Sequence, residues 1–276
     1  MPDPRVLNVA SDGVRLSGEE AGEGPAMILL HGLTATRRYV VMGSRLLERS
    51  GHRVLAYDAR GHGRSDPAHE RDYGYERLAE DLRAVLDAAA IERAVLAGAS
   101  MGAHTAVRFA LDHPDRVAAL ALITPSYEPV GHAHADFAGW DALAAGLREG
   151  GVDGFVHAYE LAAVPERWRA TVEQVLRQRL SAHEHPGAVA DALEVVPRSR
   201  PFEDLAELAR IVAPTVLVAS RDEADPDHPL AVSELYARVI PGARLVVEDA
   251  GEPPRSPIAW QGGQLSRVLA ELADAA

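Results

Sequence analysis

The sequence predicts a doubly wound α/β fold: a mostly parallel sheet with a helical cap inserted between two late strands. Three observations carry that expectation. Short apolar runs alternate with longer amphipathic segments along most of the 276 residues, the pattern of strands and crossover helices. Several short runs are apolar at every position, as strands buried on both faces of a parallel sheet must be. Between about residues 128 and 209 the alternation stops and only helical periodicity remains, broken by Gly150-Gly151, Pro165, Pro186 and Pro201.

Taken in order, residues 14–20 read as an antiparallel strand at the sheet edge, and Ala26–Leu30 as the first buried strand. An amphipathic stretch at about 39–50 leads to a strand at Arg53–Tyr57, and a helix at about 75–90 leads to one at Ala94–Ala99. A helix over about 101–113 and a strand at Val117–Ile123 follow. After the insertion come a strand at Thr215–Ala219, a helix over about 229–239, a strand at 245–247 and a closing helix over about 258–274. The expected division is a core of residues 1–127 and 210–276 with a cap of residues 128–209. Sites in such sheets lie at the carboxyl ends of the strands, so the cap should shape a substrate pocket there.

Composition removes several function classes. The net charge is −13, from 28 basic residues, all arginine, against 41 acidic ones. That balance argues against nucleic acid and against an anionic membrane surface as partners. There are no cysteines, which excludes disulfides, thiolate metal sites and a cysteine nucleophile together. The first residues lack the apolar core of a signal peptide, and no run approaches the ~20 apolar residues of a membrane span, so the expected location is the cytoplasm. No glycine-rich nucleotide loop occurs. The pairs His132/His134 and His183/His185 imply no third metal ligand, so neither cofactor nor metal is expected.

Gly98-Ala99-Ser100-Met101-Gly102 carries the chemistry. It joins an apolar run to a helical segment, the strand–turn–helix context in which a serine is held clear of the backbone as a nucleophile. The glycines are needed because the turn is strained and leaves no room for side chains. His31-Gly32-Leu33 directly follows Met27-Ile28-Leu29-Leu30. Acyl transfer builds negative charge on a carbonyl oxygen, and the Leu33 and Met101 N–H groups are the expected pair to hold it. His31 reads as structural, folded back to hold its loop.

With the segment Asp58-Ala59-Arg60-Gly61-His62-Gly63-Arg64-Ser65, these motifs resemble the α/β-hydrolase fold family, in its capped, esterase-like branch. The segment is similar to the D-x-R-G-x-G-x-S loop common in that family, and His62 within it reads as structural. The resemblance implies a catalytic acid after a late strand, in the pattern G-x-x-D-x-x-x-P. With Ala219 in place of the glycine, that acid is Asp222 and the proline is Pro226. Glu223 and Asp225 compete with Asp222 in the same acidic loop.

The resemblance also implies a histidine after the last strand, in a Gly-His pair. Here Gly251 is followed by Glu252. A serine hydroxyl is a poor nucleophile without a base to take its proton. The only histidine beyond Asp222 is His228, in the loop expected to carry the acid. The sharpest reading is therefore a rearranged triad: Ser100 as nucleophile, His228 as base, and Asp222 or Glu252 as orienting acid. Triads are recognised by geometry and not by chain order. The cap histidines His132, His134 and His157 are the substitutes for the base. His104 is expected to be buried against the sheet, and Trp140, Trp168 and Trp260 to line the pocket or pack the cap.

The expected activity is cleavage of a small-molecule carboxylic ester through an acyl-enzyme. Serine in place of aspartate at the elbow disfavours dehalogenase and epoxide-hydrolase chemistry. Two rivals stand beside it. One is a binding protein that kept the fold and lost catalysis; the other is a lyase or isomerase that uses only the oxyanion donors.

Overall fold

The alternation of the buried strands sorts their side chains onto two faces, and each face recruits its own helices. A computed structural model describes residues 3–221, 223, 225–249 and 256–276. In chain order the strands are β1 (Arg5–Ser11), β2 (Val14–Ala21), β3 (Ala26–Leu30), β4 (Arg53–Tyr57), β5 (Ala94–Ala99), β6 (Val117–Ile123), β7 (Thr215–Ala219) and β8 (Arg244–Val247). They form one sheet in the order β1-β2-β4-β3-β5-β6-β7-β8. The first three in that order pair antiparallel and the rest parallel.

Ile28, Leu30, Leu55, Leu96, Leu120, Leu122 and Leu217 face α2 (Tyr75–Ala88), α3 (Met101–Asp112) and α8 (Leu230–Val239). The alternate residues Met27, Leu29, Val95, Ala97, Ala121, Val216 and Val218 face α1 (Leu46–Arg49) and α9 (Gly262–Asp274). This is the period-2 register of a sheet covered on both sides.

The expected edge strand is not at the edge. β2 pairs with β4 on one side and with β1 on the other, and β1 takes the outer position. β1 escapes a hydrophobic-run reading because only Val9 and Ser11 of its seven residues are buried. The amphipathic stretch at 39–50 is mostly not helix: Val40 and Val41 are buried, but Met42 and Gly43 have positive φ and leave α1 only four residues.

Between β6 and β7 the described residues form helices and single turns: α4 (Pro129–Ala133), α5 (Ala138–Ala158), α6 (Glu166–Leu180) and α7 (Pro186–Val195). α5 reverses at Gly151, whose φ is 58° and ψ −143°, and its two arms cross so closely that a Cβ at Gly146 or Gly154 would fall on the opposite backbone. The insertion has its own apolar cluster, including Leu147, Phe155, Leu176 and Leu193, against which Leu33, Trp140, Trp168 and Trp260 pack. Its seam with the sheet side is made by Ala188, Ala192 and Val196 against Tyr73, Leu78 and Met101. No helix of the described residues is long and apolar enough to cross a membrane.

Candidate active site

The carboxyl ends of β3, β5 and β7 each hand over to a loop that meets at one place. β5 gives way to α3 through Ser100, at φ 51° and ψ −114°, a conformation that a residue with a side chain holds only under constraint. A Cβ at Gly98 would fall on the Gly102 carbonyl, and one at Gly102 on the Leu30 carbonyl of β3. The Ser100 N–H donates to Ile123 O at 2.9 Å, and its carbonyl accepts from the His104 N–H at 3.1 Å. Backbone pinning on both sides leaves the hydroxyl free at the positive end of α3.

The loop after β3 lies against this serine: a Cβ at Gly32 would come to 3.3 Å from Ser100 Cβ. The Gly32 carbonyl accepts from the Ala35 N–H at 3.0 Å and from His31 Nδ1 at 2.8 Å. Because a trans peptide points its N–H opposite to its C=O, these two bonds turn the Leu33 N–H to the other side of the loop. His31 Nε2 accepts from the Ala59 N–H at 2.9 Å, so the ring proton sits on Nδ1. Burial, against the pull of the Gly32 hydrogen bond, drives the His31 pKa down to about 3. The ring is a neutral strut for the loop. The Met101 N–H opens α3 and has no intrahelical carbonyl to bond.

The 58–65 segment is scaffold. Buried Asp58 accepts from the Arg37 and Arg64 N–H groups at 2.8 and 3.1 Å and pairs with the Arg37 guanidinium. Arg60 makes a buried two-pronged pair with Asp81, both bonds 2.7 Å. Gly63 has positive φ and lies against the Asp58 carboxylate, so a side chain there has no space. His62 Nδ1 donates to Arg60 O at 2.9 Å.

His228 reaches the serine. Its Nε2 is 2.8 Å from Ser100 Oγ and its Nδ1 is 2.8 Å from Asp225 Oδ1. A carboxylate only accepts, so Nδ1 carries the proton and the Nε2 lone pair faces the serine hydroxyl. The turn that brings acid and imidazole together is closed by the His228 N–H donating to Asp225 O at 3.2 Å. Burial lowers the His228 pKa, but the charge and hydrogen bond of Asp225, with help from Asp227, outweigh it and leave the imidazole above its ordinary value. Asp225 shows the converse: burial raises it, and His228 together with Arg179 brings it below the usual carboxylate range.

The acid expected from the spacing, Asp222, lies outside the described residues, as does Glu252. Among the described carboxylates Asp225 occupies the Nδ1 position, and Glu223 instead pairs with Arg167 of α6. Two other histidines have separate duties. His104 accepts from the Ser126 and Tyr127 N–H groups at 3.1 Å each and donates from Nδ1 to Tyr75 Oη at 3.1 Å. His132 Nε2 donates to Pro197 O at 2.9 Å.

Three contributors had no sequence signal. Glu248, at the end of β8, accepts from the Arg221 N–H at 2.6 Å and the Ile258 N–H at 3.3 Å, anchoring the start of the Asp225–His228 loop. Tyr159 of the insertion donates to Asp227 at 3.2 Å. Arg179 of α6 donates to Leu33 O and Thr34 Oγ1 at 3.2 and 3.1 Å. Each is one of many residues of its type, and only the fold brings it here.

Comparison with known proteins agrees with this fold. The profile of the α/β hydrolase fold family matches residues 25–253. A Variovorax paradoxus protein named "Putative carbamate hydrolase RutD" is 33% identical over 203 residues, 73% of this chain and 75% of the relative. The Thermogutta terrifontis thermophilic esterase, solved with malate bound, superposes with a TM-score of 0.75 at 27% identity over 97% of both chains. The N-acyl homoserine lactone degrading enzyme Est816 does so with a TM-score of 0.71 at 28% identity over 98% of both. The chain belongs to the α/β-hydrolase fold family.

Proposed function

We propose that the protein is a serine hydrolase that cleaves a small carboxylic ester through an acyl-enzyme, with the helical insertion of residues 128–209 capping the site. One observation carries the reading: Ser100 Oγ, His228 Nε2, His228 Nδ1 and Asp225 Oδ1 form a continuous chain with both links at 2.8 Å. Ser100 attacks the acyl carbonyl while His228 Nε2 takes its proton. The Leu33 and Met101 N–H groups hold the developing oxyanion, and Asp225 stabilises the imidazolium. His228 then protonates the leaving alkoxide. Water, deprotonated by His228, cleaves the acyl-enzyme, releases the acid and restores the serine.

The carbamate, lactone and ester chemistry named for the relatives all begins with attack on an acyl carbon, which this arrangement serves. The test is hydrolysis of p-nitrophenyl butyrate by wild type, Ser100→Ala and His228→Ala, alongside fluorophosphonate labelling. Turnover and labelling in wild type, with turnover falling by roughly three or more orders of magnitude in both variants, is the expected result. An unlabelled Ser100 would favour the binding protein. Retention of activity by Ser100→Ala would favour a lyase or isomerase.

A further inference from the structure

Arg179 is in an unusual position for an arginine of this chain. Among the described residues, every other arginine either pairs with a carboxylate or lies exposed; Arg179 is half-buried, and no described carboxylate lies within 4.0 Å of it. Its protein partners are two neutral oxygens, Leu33 O and Thr34 Oγ1, both reached by Nη2. Its buried Nε has no partner. A cation partly withdrawn from water without an anion or a full set of acceptors is costly, and an anionic ligand would offset that cost.

Its surroundings locate the missing anion. Leu33 is the residue whose N–H we assign to the oxyanion, and the guanidinium bonds the carbonyl of that same residue. Its charge is felt at His228, Asp225, His31 and Tyr159. Burial depresses the guanidinium's own pKa, against the opposing pull of Asp225, Tyr39 and Tyr159. No described carboxylate closes on it, although Asp225 is near enough to be felt; that carboxylate is committed to His228.

We propose that Arg179 is an anion-binding residue that holds a carboxylate on the acyl part of the substrate, a few bonds from the reacting carbonyl. The substrate class is then a short half-ester or a related acyl compound bearing a free carboxylate. The guanidinium fork suits two-pronged recognition, with the free Nε–H as one prong. The proposal rests on reading the Ser100 cleft as the acyl site and deepens that reading.

The test compares two ligands of matched length, monomethyl succinate and methyl butyrate, which differ by a carboxylate in place of a methyl group. Binding is measured by calorimetry to the Ser100→Ala protein, so that it does not depend on turnover. The half-ester is expected to bind at least about tenfold tighter, a difference of about 1.4 kcal/mol. Adding Arg179→Gln is expected to bring the ratio to within about threefold of one, and Arg179→Lys to leave an intermediate preference. Equal affinity for the two ligands in the starting protein would overturn the proposal. So would weakening of both ligands together with the ratio preserved, the behaviour of a tether between insertion and core. If the glutamine variant fails to fold, the same comparison in Arg179→Lys decides. A preserved anion preference in a protein whose Ser100 neither labels nor hydrolyses esters would retire the esterase reading and keep the anion site.

Discussion

Replacing Asp225 by asparagine tests which carboxylate serves His228. The pair sits at 2.8 Å with about a fifth of each side chain exposed. Coulomb's law gives about 4 kcal/mol for unit charges at 4 Å in an effective dielectric of ~20, and exposure of this degree reduces that to roughly 3 kcal/mol. At about 1.4 kcal/mol per decade, losing the charge that supports the imidazolium costs roughly two orders of magnitude. The amide adds a second cost. It can turn its NH2 towards Nδ1, which moves the ring proton to Nε2 and removes the lone pair facing Ser100. Together these place the fall in kcat/KM on p-nitrophenyl butyrate near 10³–10⁴-fold, approximately the loss expected when a triad carboxylate becomes an amide. Glu223→Gln, which breaks only an exposed pair with Arg167, should stay within about threefold of wild type. Asp222→Asn and Glu252→Gln should likewise stay within about tenfold. The reasoning fails if Asp222→Asn or Glu252→Gln collapses activity while Asp225→Asn retains it.

The raised pKa of His228 puts the acid limb of the kcat/KM profile above 6.5, since the base works only when neutral. In Asp225→Asn burial is opposed only by the weaker pull of Asp227, and the limb of the residual activity should shift to lower pH; an unmoved limb would separate the two groups. Buried His104, held neutral with a pKa of about 3, is protonated in the unfolded chain but not in the folded one as pH falls below about 6.5. Stability should therefore drop by up to about 1.4 kcal/mol per pH unit on its account, and urea unfolding between pH 7 and 5 should show a shallower slope in His104→Gln. Asp81→Asn leaves the Arg60 guanidinium buried without its counter-charge and should cost about 3–5 kcal/mol. A denaturant midpoint within error of wild type would contradict that.

What was legible in the sequence follows from what each residue must satisfy alone. Strands β3, β5, β6 and β7 could be read because burial on both faces leaves polar residues no place in them. β1 could not, because it faces solvent along most of its length. Ser100 was legible because its turn constrains two glycines through close backbone contacts, and a spacing constraint shows in one dimension. Asp225 was visible only as one acid among three. The G-x-x-D-x-x-x-P frame favours Asp222, whereas the Nδ1 contact depends on a turn that folds residue 225 back under residue 228. Arg179 left no trace, since one arginine among 28 basic residues becomes distinctive only when the fold half-buries it with no described carboxylate within reach.

In the proposed mechanism the position of His228 changes what the triad depends on. When acid and base come from two loops, their distance is set by two strand ends and the sheet between them. Here they lie three residues apart in one turn, so their mutual geometry is local, and the demanding distance is that from the pair to Ser100 across β6. That distance is maintained by the anchors of the loop: Glu248 on the Arg221 N–H at its start and Tyr159 on Asp227 at its tip. One of those two anchors belongs to the insertion. In the proposed mechanism the insertion therefore does more than shape a pocket, because displacing it would draw the base away from Ser100. In the proposed mechanism a glutamate can stand at position 252 without removing the base, since the loop after β7 carries both the imidazole and its carboxylate.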